Sequence, residues 1–129
     1  LDAVHLSQKL ATNSIDAIIT EPFIGSPFEM RENKLFKKGK PVTMDMIQNT
    51  IKGLEKLYLG AFKDWHSLLK PGAKIVIVFP DIQFQNRSFS VKKVLDTCEN
   101  LGYTFSEGPF TYARPQAVVK RQIYVFKKI

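Results

Sequence analysis

At 129 residues the chain has room for one domain, and a hydrophobic content of 44% is enough to build a packed core. No apolar run approaches the roughly 18 residues of a membrane span, and no signal peptide is visible. The single cysteine, Cys98, excludes an internal disulfide and suits a reducing compartment, so a cytoplasmic protein is expected. Nineteen Lys and Arg against 12 Asp and Glu leave a charge of +7, which favours an anionic partner, most often nucleic acid. The chain opens on Leu1 rather than methionine and reads as a piece of a longer protein.

Residues 4 to 13 have the pattern of a short helix or turn. A strand follows at 15 to 20, where Ala17, Ile18 and Ile19 are consecutive and apolar, as a strand covered on both faces requires. It stops on Glu21-Pro22, because proline cannot donate to a ladder and holds the residue before it extended. Glu21 is therefore expected at the carboxyl end of a parallel strand, where open α/β sheets place their ligand crevice. Phe23 and the permissive Gly25 come next. A carboxylate, a carbonyl fixed by Pro22 and an aromatic ring can together grip a planar amine: two acceptors take its N–H groups and the ring stacks on its plane. The competing reading of the same residues is a plain strand-to-loop turn.

Residues 26 to 42 form a long connection carrying Arg31, Lys34, Lys37, Lys38 and Lys40 with Phe28, Leu35 and Phe36 interleaved. Basic residues mixed with aromatics suit a nucleic-acid strand, and a solvated loop pinned by its apolar residues is the alternative. Thr43 is a good N-cap, with Asp45 in the first turn. Met44, Ile47, Ile51, Leu54, Tyr58, Phe62, Trp65 and Leu69 then mark one apolar face of a helix of about 27 residues. Gly53 and Gly60 are places for it to bend or divide, and Lys70-Pro71-Gly72 should end it.

Ala73 to Phe79 is the clearest strand, β-branched and nearly all apolar, with Pro80-Asp81 closing it. Strand, crossover helix and strand make a parallel βαβ unit. Ser90 should cap a further helix whose apolar face is Val91, Val94, Leu95, Cys98 and Leu101, with Gly102 just past its end. On that face Cys98 reads as core rather than nucleophile. Two last strands follow, Tyr103 to Tyr112, interrupted at Gly108-Pro109, and Val118 to Lys128, joined by Arg114-Pro115-Gln116. After Glu107 there is no acid, while Arg114, Lys120, Arg121, Lys127 and Lys128 accumulate. His5, His66 and Cys98 lack metal-ligand spacing, and no metal is expected.

Thr20-Glu21-Pro22-Phe23-Ile24-Gly25 resembles the Asp-Pro-Pro-Tyr-Gly motif of S-adenosylmethionine-dependent amino-methyltransferases, most closely the tRNA guanosine-N2 methyltransferases and DNA methylase-like proteins. The order of elements resembles the second half of that Rossmann-like fold, which ends in an antiparallel pair whose last strand inserts into the sheet. The resemblance implies an α/β architecture, β-α-β-α-β-β, in which the Gly-rich cofactor half is absent. It implies S-adenosylmethionine as cofactor, with Asp2 of Asp2-Ala3 and Leu6 holding its adenine amine, and Glu21, Pro22 and Phe23 as catalytic residues. It implies transfer to an exocyclic base amine in RNA, guanosine N2 of tRNA being the leading case. Arg31, Lys37, Lys38, Lys40, Arg114, Lys120 and Arg121 would bind the nucleic acid. A DNA amino-methyltransferase and a non-catalytic binding or assembly module are the alternatives. The apolar edge of the 15–20 strand would leave the piece self-associating, or ordered only with the other half of its sheet.

Overall fold

A computed structural model describes residues 3–21, 43–115 and 119–129. The elements are β1 (Ile15–Thr20), α1 (Met44–Leu68), β2 (Leu69–Phe84), β3 (Arg87–Ser90), α2 (Lys92–Thr97), β4 (Tyr103–Tyr112) and β5 (Val119–Lys128). Single 3-10 turns occupy Leu6–Gln8 and Glu99–Leu101. The sheet runs β1-β2-β5-β4, with β3 beside the far end of β2. β1 and β2 are parallel, and β5 lies antiparallel between β2 and β4. The crossover unit and the inserted last strand are as expected.

α1 forms because its apolar residues recur on one stripe and its first turn is capped. The Thr43 hydroxyl accepts from the Met46 N–H at 3.2 Å. The stripe Ile47, Ile51, Leu54, Tyr58, Phe62 and Trp65 is buried along its whole length. The helix runs unbroken through Gly53 and Gly60, because packing along that stripe outweighs the weak propensity of two glycines. It ends at Leu68, and β2 starts at once on Leu69 rather than after Lys70-Pro71-Gly72. Those residues form an irregular start to the strand: the register with β1 shifts between Ile15 and Ala17, and Gly72 has φ +80°.

β2 also runs past Pro80-Asp81 to Phe84, correcting the expected stop. Its last residues pair with β3 through a hairpin whose corner, Gln85-Asn86, has both φ positive, at 49° and 60°. Ser90 belongs to β3, so it is not the helix cap; Val91 holds that position without a side-chain bond. The α2 terminus is served from α1 instead, where Glu55 Oε2 accepts from the Lys93 N–H at 2.7 Å.

Alternate residues of the sheet divide its faces. Ala73, Ile75, Ile77 and Phe79 of β2 and Tyr124 and Phe126 of β5 are buried with α1 and α2 in one cluster. Phe62 is its centre, with ring contacts to Trp65, Phe79, Tyr103 and Phe126. Cys98 is buried in it, and burial pushes its thiol pKa up, as a core role expects. The opposite face holds Ile19, Val76, Val78, Ile123 and Val125 in register. There Ile19 is 79% exposed, so β1 is not covered on both faces as its apolar run suggested.

A candidate active site at the carboxyl ends of the strands

The end of β1, the end of β4 and the start of β5 meet at one end of the sheet, with β2 running on past β1. Thr20 pairs with Ile77, Pro80 and Asp81 face Arg121 and Lys120, and Arg121 faces Tyr112 in turn. Glu21, one residue past β1, therefore stands where the strand-end argument put it. Arg121 Nε donates to Glu21 Oε1 at 2.6 Å, reaching over β2. Both side chains are partly exposed, at 38% and 49%. At that exposure the pair contributes about 0–1 kcal/mol to stability, so its importance is where it holds the carboxylate.

A second polar chain runs at the same end on the opposite face of the sheet, since Gln122 and Asp81 alternate in phase with Tyr124 and Phe79. Thr111 Oγ1 donates to Gln122 Oε1 at 2.7 Å, and Gln122 Nε2 donates to Asp81 Oδ2 at 3.3 Å. Asp81 Oδ1 is buried and takes no hydrogen bond. Burial raises the Tyr124 phenol, and the Asp81 charge raises it further. Sequence reasoning missed this chain. Asp81 lies in β2 beyond the point where β1 stops pairing, and an acid at that end of a parallel strand was the available signal.

Of the residues expected in the site, Glu21, Arg114, Lys120 and Arg121 gather at this end. Arg114 is exposed just beyond β4, and Lys120 lies beside Arg121 in β5. Asp2, Pro22, Phe23, Arg31, Lys37, Lys38 and Lys40 lie outside the described residues. Lys128 leaves the basic surface altogether: it is buried, with Nζ donating to the Leu69 carbonyl at 2.7 Å. Among the described residues no three His, Cys, Asp or Glu gather to hold a metal, and no helix is long and apolar enough to cross a membrane. What the described residues offer is a half-exposed carboxylate bound through one oxygen to Arg121, at the mouth of a parallel βαβ unit.

No protein-family model and no curated protein sequence matches the chain. Solved structures do. TTHA0409 of Thermus thermophilus, solved with S-adenosyl-L-methionine, is similar over 98% of this chain and 53% of its own, with 16% identity and a TM-score of 0.57. The PvuII cytosine-N4-specific DNA methyltransferase is similar over 100% and 48%, with 13% identity and a TM-score of 0.62. TrmN of Thermus thermophilus is similar over 100% and 27%, with 18% identity and a TM-score of 0.54. The fold is a methyltransferase fold. At these identities the likeness speaks for architecture alone, and the chain spans about half the length of the first two proteins.

Proposed function

We propose that this chain is part of an S-adenosylmethionine-dependent methyltransferase acting on an exocyclic base amine in RNA, with guanosine N2 of tRNA as the leading target. The observation that carries the proposal is a half-exposed carboxylate, Glu21, at the carboxyl end of a parallel strand in this fold. The motif resemblance to tRNA guanosine-N2 enzymes and the likeness to TrmN support RNA. The likeness to the PvuII enzyme, with the higher TM-score, supports DNA as the second reading. The net charge of +7 suits either.

S-adenosylmethionine, when bound, supplies the methyl group, with Asp2 proposed at its adenine. The target base leaves its stack and lies beside Phe23. Its amine is a weak nucleophile because its lone pair is shared with the ring. The Glu21 carboxylate and the Pro22 carbonyl accept the two N–H groups, hold the amine in place and localise its lone pair, so that orientation supplies most of the rate. Lys120 and Arg114, with Arg31, Lys37, Lys38 and Lys40, hold the phosphate backbone. The rest of the sheet, from a segment that pairs with the open edge of β1, completes the domain.

The test is single-turnover methyl transfer by the intact parent protein to tRNA and to duplex DNA, with RNA affinity measured beside it. Glu21→Ala is expected to cut transfer by 100-fold or more, on the order of a lost transition-state contact, with little change in binding. Normal transfer by Glu21→Ala would reduce Glu21-Pro22-Phe23 to a turn, and transfer to DNA alone would replace RNA as the substrate.

A further inference from the structure

The Glu21–Arg121 pair joins residues 100 apart in sequence. The two are not held alike. Arg121 sits within β5, paired on one edge with Pro80 and on the other with Tyr112. Glu21 follows the last paired residue of β1. The well-held residue therefore fixes the less-held one. The bond also consumes the charge that would draw Arg121 to phosphate: beside a carboxylate at 2.6 Å the guanidinium is neutralised, and binding a phosphate there releases no net counterion. With Oε1 bound to Arg121, the Glu21 side chain is tethered while remaining about half exposed, at 49%.

We propose that Arg121 is a positioning residue for Glu21, not a contact to the nucleic-acid backbone. This rests on the reading of Glu21 as acceptor of the target amine. Removing Glu21 frees the guanidinium, so Glu21 also keeps Arg121 from binding phosphate indiscriminately.

Three measurements test this on the chain and its parent protein. The first is RNA affinity against salt for the unaltered chain, Arg121→Gln, Glu21→Gln and the double variant. Arg121→Gln should leave the slope unchanged. Glu21→Gln should steepen it by about 0.7–0.9 log units per log unit of salt, one additional phosphate, and the double variant should restore it. Asp96→Asn, which removes one charge from α2, sets the background for the charge change alone. The second is the Arg121 Nε–H resonance in nuclear magnetic resonance spectra, which should shift in Glu21→Gln and not in Asp96→Asn. The third is methyl transfer, where Arg121→Gln should lower kcat about tenfold at unchanged RNA affinity and Arg121→Lys should recover part of the loss. A slope lowered by about 0.7–0.9 in Arg121→Gln would make Arg121 a phosphate contact and overturn the proposal. An Nε–H resonance indifferent to Glu21→Gln would overturn it too, even if the chain binds no RNA and the functional reading itself has failed.

Discussion

The two faces of the sheet are built from the same strands and are finished differently. On one, Ile75, Ile77, Phe79, Tyr124 and Phe126 are sealed under α1 and α2. On the other, Val125 is buried but Val76, Val78 and Ile123 are half-buried, Ile19 stands open, and Phe110 and Tyr112 are 55% and 56% exposed. Parallel strands are found almost only in sheets covered on both sides. The difference therefore separates what this chain completes by itself from what it offers to something else. The Glu21–Arg121 pair lies at the rim of the open face, because Arg121 alternates in phase with Ile123 and Val125. The candidate site is thus assembled on the side that the described residues leave unfinished.

The largest effect is expected at the centre of the sealed face. Phe62 is fully buried between Trp65, Phe79, Tyr103 and Phe126, and its carbonyl accepts from the Tyr103 hydroxyl at 2.5 Å. Phe62→Ala should cost about 3–5 kcal/mol, read from denaturant unfolding. A loss below about 1 kcal/mol would mean the cluster is loosely packed and the contrast between the faces is weaker than described.

The next effect is a pH dependence confined to the sealed side. Burial raises the phenol pKa values of Tyr58, Tyr103 and Tyr124, helped by Asp64 at Tyr103 and Asp81 at Tyr124. In the unfolded chain these phenols ionise near about pH 10. Their folded values are higher, so their contribution to stability is complete below about pH 10 and is lost as pH rises towards the folded values. Each raised tyrosine should then steepen the loss by about 1.4 kcal/mol per pH unit. Unfolding measured from pH 8 to 11 should show a shallower alkaline decline in Tyr124→Phe. An unchanged decline would place Tyr124 in contact with solvent.

The sealed face was legible in the sequence because its signals are local. The stripe of α1, the cap at Thr43 and the β-branched run 73–79 each lie within a few turns of chain. The end of β2 was not legible. Pro80 reads as a stop, yet β1 pairs with β2 only as far as Ile77 and the pairing of β2 with β3 begins at Asp81. Pro80 falls in the gap between those two partners, where a missing N–H breaks no ladder bond on that edge. β3 was hidden because its corner is Gln85-Asn86 and not the Asn-Gly that marks such hairpins. In the candidate site, Glu21 was legible from Pro22 and the strand before it. Its partner was not, since nothing local connects residue 21 with residue 121, and a basic residue near a chain end looks like a nucleic-acid contact until its neighbour is known.

The smallest expected effect on stability separates the faces most sharply. Ile19 is apolar, next to the last residue of β1, and 79% exposed. A lysine there removes almost no buried surface from the chain as it stands, so Ile19→Lys should change unfolding free energy by no more than about 0.5 kcal/mol. What it should change is association. An apolar face beside a strand edge that is unpaired among the described residues recruits either a second copy or the remainder of the sheet, and a charge on such a surface opposes both. Sedimentation should show the unaltered chain self-associating with concentration and Ile19→Lys shifted towards monomer. A stable monomer for the unaltered chain would remove the open face as an association surface. If Ile19→Lys instead unfolded the chain as severely as Phe62→Ala, Ile19 would be covered from within the chain and the sheet would have two sealed faces.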